Sequence, residues 1–350
     1  MKINTTHLPW VDIVRVVAMF GVVLLHVAAP LLYKFGDISL SYWWVANIYD
    51  TAVRVCVPLF FMISGYLLLG KKEPILIFLK KRLIKVIIPL IVWSVIYILW
   101  KSYVIGNGDI SFSYFLKAII SPVETHLWFL YVIIGIYFYV PILRIIVQNS
   151  KIKHLYYFIV LWIISVSFIP FLEKLWATEN HIDLLMISGY GGYFVLGYIL
   201  GKINLSKKWF FVSFFVIIAL IGFTAYGTFY LSDGDNEFNG YLYEYLSLNI
   251  ILCSTTAFIL IKYLFDVIII IKSKIILKSI RTLSSASLGI YLIHPILLYY
   301  LENNNLGFSL SALSGNPILF IPITTVIVFS LSFVVIWTLQ KIPLIKYCAP

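Results

Sequence analysis

Residues 9–33 read PWVDIVRVVAMFGVVLLHVAAPLLY. Past Asp12 and Arg15 the stretch carries no formal charge, and it is long enough to cross a hydrocarbon layer of about 30 Å at about 1.5 Å per residue. It is too long, and too charged at its start, for the h-region of a cleaved signal peptide, which spans about 7–15 apolar residues. Similar runs recur at 43–69, 84–104, 127–146, 155–172, 184–201, 209–231, 245–265, 284–301 and 317–339. The chain is therefore expected to be all-α, a polytopic transmembrane helix bundle of about ten spans. Composition agrees, with 62% hydrophobic and 12% charged residues, where a soluble domain carries about 25% charged. No polar stretch is long enough for a separate soluble unit, so residues 1–350 are read as a single transmembrane domain.

The net charge of +11 reports topology rather than nucleic-acid binding, because the cations fall on alternate loops. Lys2, the run Lys71–Lys85, Arg144, Lys151, Lys153, Lys202, Lys207, Lys208, Lys262, Lys272, Lys274, Lys278, Arg281, Lys341 and Lys346 lie on one side. The other side holds Lys34, Lys101, Lys117 and Lys174, with the acids Asp233, Asp235, Glu237 and Glu244 in one loop. The positive-inside rule makes the basic side, and with it both termini, cytoplasmic. Anionic membrane lipid is the partner such a surface implies.

An ionisable side chain deep in a span costs at least about 2.5–3.5 kcal/mol on insertion scales, so function concentrates at such residues. Arg15 and His26 lie eleven residues apart, which puts them on one helix face about 16 Å apart along the axis. Asp12, three residues before Arg15, is placed to pair with it. Arg54 falls near the middle of the second span, ahead of Pro58-Leu-Phe-Phe-Met-Ile-Ser64-Gly65-Tyr66. Pro58 frees a backbone carbonyl and can open the helix there. Ser287, Tyr291 and His294 share a face of the ninth span, and His126 opens the fourth at the outer interface. Lys101 is expected to lie apart from these residues. A buried histidine is also a common packing residue, and on spacing alone the structural reading of His126 stands beside the functional one.

Lys80, Lys81, Arg82 and Lys85 put four cations within six residues on the basic side. That is what a membrane anchor provides, and also what a polyphosphate needs. Residues 266–281 look like an interfacial helix rather than a further span, and Gly197-x-x-x-Gly201 like a close helix–helix contact. Cys56, Cys253 and Cys348 have no metal or disulfide spacing, and no metal site is expected.

Arg15-x10-His26, Pro58-x-Phe-Phe-x-x-Ser64-Gly-Tyr66, the basic run at 80–85 and Ser287-Leu-Gly-Ile-Tyr291-Leu-Ile-His294 occur in that order. Together they resemble the acyltransferase-3 family of integral membrane acyltransferases, from about residue 9 to 340. The resemblance implies transfer of an acyl group, usually acetyl from acetyl-CoA, to a hydroxyl of a cell-surface glycan or its lipid-linked precursor, at the bacterial inner membrane. It implies His26, Arg15 and Asp12 as the catalytic group, and Lys80, Lys81, Arg82 and Lys85 as the coenzyme A contact. Arg54, Ser64, His126, Tyr291 and His294 would be substrate-binding. The basic run is mostly Lys where the family's is usually Arg-rich, and Lys binds phosphate as a point charge rather than a fork. No fused extracytoplasmic domain, carried by some relatives, is expected; glycan-assembly proteins are possible partners. The same intramembrane charges would also serve a transporter or flippase for a glycan or small solute, although no internal repeat of the kind many transporters use is visible.

Overall fold

The computed structural model describes residues 8–106, 110–176, 189–265, 273–304, 307–343 and 345–349. Its helices are α1 Pro9–Leu32, α2 Leu40–Val53, α3 Cys56–Leu69, α4 Ile75–Trp100, α5 Phe112–Ile120, α6 Trp128–Asn149 and α7 Ile152–Ile163. They continue as α8 Ile169–Trp176, α9 Gly191–Lys202, α10 Lys207–Asp235, α11 Leu248–Tyr263, α12 Lys274–Ser285, α13 Ser287–Glu302 and α14 Pro317–Leu339. No strand occurs among the described residues. Among the described residues eight helical stretches are long and apolar enough to cross a membrane, or nine if α12 and α13, bent by 63° at their junction, form one broken span. Each of the ten expected spans coincides with a helix. For the sixth only Gly191–Lys202 is described, too short to qualify by itself; residues 184–188 lie outside the described residues, as do Lys2 and Lys272. The fold is an all-α polytopic bundle. Its outer faces are apolar, as lipid requires and water forbids: Phe215 and Phe223 of α10 are 66% and 60% exposed.

Helix α1 is the hub, packed against α2, α3, α11, α12, α13 and α14. The second span is broken at Arg54–Val55, between α2 and α3. Pro58 has no N–H to offer the Arg54 carbonyl four residues earlier, so the helix cannot run through. Residues 266–272 lie outside the described residues, but the rest of the expected interfacial segment forms α12, amphipathic and capped by Ser273 Oγ accepting from Ile276 N at 3.4 Å.

Helices α3 and α9 approach backbone to backbone. A Cβ at Gly65 would meet the Phe194 backbone, one at Gly197 the Met62 backbone, and one at Gly201 the Tyr66 ring. The glycine pair read as a packing motif therefore faces the second span. Gly197→Val is expected to destabilise by at least about 1–3 kcal/mol, since backbone cannot yield as a side chain can. Gly135→Ala, with nothing within 4 Å of its Cβ, is the matched control; thermal unfolding in detergent compares them, and equal stability of the two would contradict the close approach.

Two cations counted as loop charges are in fact interior. Lys262 is buried and donates to the carbonyls of Leu200, Gly201 and Ile203 at 3.0, 2.7 and 2.8 Å, at the C-terminal end of α9 where helix carbonyls lack partners. Arg144 is buried too, donating from Nε to the Leu68 carbonyl at 2.9 Å, pairing with Glu73 at 3.7 Å and lying over the Phe78 ring. Both tie helix ends together.

Candidate functional site

Arg15, Met19 and Val22 form a stripe on α1 that lines a cavity of about 230 Å³. His26 continues that stripe one turn further on, as the eleven-residue spacing requires. The other walls come from Phe60 and Ser64 of α3, Phe129 and Tyr137 of α6, Ser284 and Ser285 of α12, and Ser287 and Tyr291 of α13. The expected Asp12–Arg15 pair forms, at 3.7 Å, and Asp12 Oδ1 also accepts from Ser284 Oγ at 2.7 Å. The acid thus joins α1 to the α12–α13 bend as well as to Arg15. Ser64 Oγ donates to the Phe60 carbonyl at 2.8 Å, a bond within its own helix.

Three histidines from three different parts of the chain meet at the end of this stripe. The His26 ring centroid is 4.8 Å from that of His294 and 6.4 Å from that of His126, and the latter two are 5.7 Å apart. His26 Nδ1 lies 2.8 Å from the Val22 carbonyl. A carbonyl can only accept, so Nδ1 carries the hydrogen and the neutral ring keeps its lone pair on Nε2. His294 is set the same way, with Nδ1 donating to the Tyr291 carbonyl at 2.8 Å. Nε2 of His294 and Nε2 of His126 are buried and lack a hydrogen-bond partner in the protein. Among the described residues no group of His, Cys, Asp and Glu is arranged to hold a metal ion; the rings meet edge to face instead.

His126, expected at the interface, is 6% exposed. Its short turn, Thr125–Leu127, is fixed from two sides. The Tyr291 hydroxyl donates to the His126 carbonyl, so this side chain, which also lines the cavity, holds a histidine in place. Lys101 Nζ donates to the Val123 carbonyl at 2.9 Å and pairs with Glu124 at 2.9 Å. Lys101 was expected to lie apart from the site; it anchors the segment that enters it.

Beyond the histidines, on the side away from the basic run, opens a vestibule of about 310 Å³. Arg54 forms part of its floor, in a close ion pair with the fully buried Asp50 and 4.4 Å from the centre of the Tyr243 ring. Its charge is within electrostatic reach of His26. Trp128, Tyr190, Tyr243, Glu244 and Tyr245 line the remainder, Trp128 stacking on Tyr245 at 5.8 Å. None of these was singled out from the sequence as a site residue, Glu244 being read only as one of the acids of its loop. The one available signal was Trp128, two residues from His126.

The cationic run divides. Lys80, Lys81 and Lys85 line a groove of about 730 Å³ together with Ser285, Gln340, Lys346 and Tyr347. Arg82 turns inward instead, with Nε buried and its charge acting on Arg15 and Tyr137. Ser285 borders both groove and cavity, linking the two. In the adjoining loop the Lys71 ammonium is lowered from its ordinary value, by burial first and then by Arg82 and Lys81. Glu73 opposes that crowding, pairing with Lys81 at 3.6 Å and with Arg144 at 3.7 Å.

No curated protein and no solved structure matches the chain. The profile of the acyltransferase-3 family, described as an acyltransferase domain, matches residues 8–337, a span that contains every histidine and arginine just described. This chain, a multi-pass membrane protein, therefore belongs to the acyltransferase-3 family.

Proposed function

We propose that the protein is a membrane O-acetyltransferase of the bacterial inner membrane. It moves acetyl from acetyl-CoA to a hydroxyl of a cell-surface polysaccharide or its lipid-linked precursor. The observation that carries this reading is a lysine-lined groove that shares Ser285 with an inner cavity, whose α1 stripe leads on to a cluster of three histidines. A coenzyme A thioester needs an anion site at one end and a reactive centre at a distance. A sugar needs flat aromatic faces beside polar groups. The groove offers the first and, near Tyr33 just past the end of α1, the aromatic vestibule offers the second. Within the family, residues 54–66 and 126–129 look most like those of the enterobacterial common antigen O-acetyltransferase.

In this reading Lys80, Lys81 and Lys85 hold the donor's phosphates, and Arg82 and Arg15 guide its arm inward. Arg15 stands about 16 Å from His26 along α1, too far to stabilise an oxyanion formed there. Asp12 positions Arg15, and Tyr291 and His294 position the other two histidines. His26 Nε2 takes the proton of the acceptor hydroxyl as its oxygen attacks the thioester carbonyl carbon. The tetrahedral intermediate collapses with cleavage of the C–S bond, and the departing thiolate takes the proton back. Arg54, a cation whose field reaches His26, stabilises the developing negative charge. The basic end then faces the cytoplasm, with both termini, and the vestibule faces outward, where glycan-assembly proteins would deliver the acceptor.

Membrane vesicles containing the protein, radiolabelled acetyl-CoA and a lipid-linked glycan extract test the reading. The expected product is base-labile label in the glycan fraction. Glycan crossing the vesicle membrane without acetyl-CoA, and without label transfer, would point to the transporter instead.

A further inference from the structure

The basic groove has a wall that no motif indicated. The helical turn Ile345–Tyr347, past the end of α14, folds back over the start of the cationic run. It is tied down: Trp93 Nε1 of α4 donates to the Cys348 carbonyl at 2.9 Å, Lys346 N bonds to the Ile342 carbonyl at 3.0 Å, and Ala349 is buried. Gln340 Nε2 reaches the Ser285 carbonyl at 3.4 Å, fixing the end of α14 to the α12–α13 bend, where groove passes into cavity. From this pinned turn two side chains enter the groove, the Lys346 ammonium and the exposed Tyr347 ring, 5.3 Å apart. The groove therefore sets one flat aromatic face among the lysines Lys80, Lys81, Lys85 and Lys346, with Ile77 and Ile84 between them and Lys81 also pairing with Glu73 at 3.6 Å. Phosphate alone, free or on a lipid headgroup, would use only the ammonium groups. An aromatic face beside them suits a base joined to phosphates, because every base presents a π-face for stacking.

We propose that this C-terminal turn completes the docking site for the nucleotide end of the coenzyme A thioester. Tyr347 stacks on the adenine, and Lys346 joins Lys80, Lys81 and Lys85 on the phosphates. The proposal rests on the donor reading above and adds the specificity-determining part: the turn selects a nucleotide-bearing donor over a bare thioester.

The test uses the full chain in phosphatidylcholine vesicles with the lipid-linked glycan extract as acceptor, and as donor acetyl-CoA or, separately, a short acetyl thioester carrying only the pantetheine arm. Tyr347→Ala is expected to raise the KM for acetyl-CoA about tenfold, the order of effect seen for loss of one base–aromatic stack. Tyr347→Phe should restore the wild-type value. Transfer from the short thioester, which does not reach the groove, should be the same in all three, and so reports folding. An unchanged acetyl-CoA KM in Tyr347→Ala overturns the proposal and leaves the lysines to anionic lipid; so does an equal loss with both donors. Wild-type protein that transfers from neither donor would remove the donor reading itself, and the role of the turn with it.

Discussion

Replacing His26 with alanine is expected to lower acetyl transfer by about 10²–10⁴-fold, the range spanned by a positioned general base. The expectation follows from its placement. Its Nδ1 hydrogen is held by the Val22 carbonyl at 2.8 Å, leaving Nε2 as the basic atom, and its ring, one turn beyond the cavity-lining Val22, meets those of His294 and His126. His26→Gln preserves most of the volume and should lose nearly as much activity, which separates chemistry from packing against His294. Acetyl-CoA binding, measured in the same vesicles, should survive both changes, because the groove is built from α4, the end of α12 and the C-terminal turn, and His26 is not among its residues. Lys208→Ala, an exposed cation at the start of α10, serves as the control. Transfer undiminished in His26→Gln would remove the base from the mechanism. Label held covalently by the wild-type protein in the absence of acceptor, and absent from His26→Gln, would instead make His26 an acyl carrier.

Arg54→Leu should be the most destabilising single change. The Asp50 side chain is fully buried and paired with Arg54, itself 14% exposed. Removing one member of such a pair strands the other charge and costs about 3–5 kcal/mol, a large part of a typical stability of about 5–15 kcal/mol. Much less folded protein should be recovered from membranes, with a lower unfolding temperature in detergent. Removing both charges, as Asp50→Asn with Arg54→Gln, should recover most of the stability because no ion is left unpaired. Activity should stay low in the double variant, since a cation whose field reaches His26 is gone. Wild-type stability in Arg54→Leu would contradict the structural role of the pair, and full activity in the double variant would contradict the catalytic one.

Spans, and the break in the second of them, were readable because apolar length and Pro58 act locally. The α1 stripe was readable for the same reason: helical periodicity alone places Arg15 and His26 on one face. Lys262 and Arg144 were misjudged for the opposite reason. Their positions near span ends look like loop charges, and only packing turns them onto the carbonyls of α9 and of Leu68. Arg82 shows the same limit within four residues of sequence. It sits among lysines that line the outer groove, yet the turn of α4 sends it inward toward Arg15.

By itself the sequence determined the helical class, the approximate spans and the residues too costly to bury without purpose. Those are properties of single segments in lipid. Tertiary structure alone decided that His126 and His294, 168 residues apart in the chain, close on His26. It also decided that Tyr291 holds one of them in place, that Trp128, Tyr190, Tyr243, Glu244 and Tyr245 form a vestibule, and that the C-terminal turn walls the groove. Each depends on which helix faces pack together, and that is set by contacts such as Gly197 on Met62 rather than by the periodicity of any one segment.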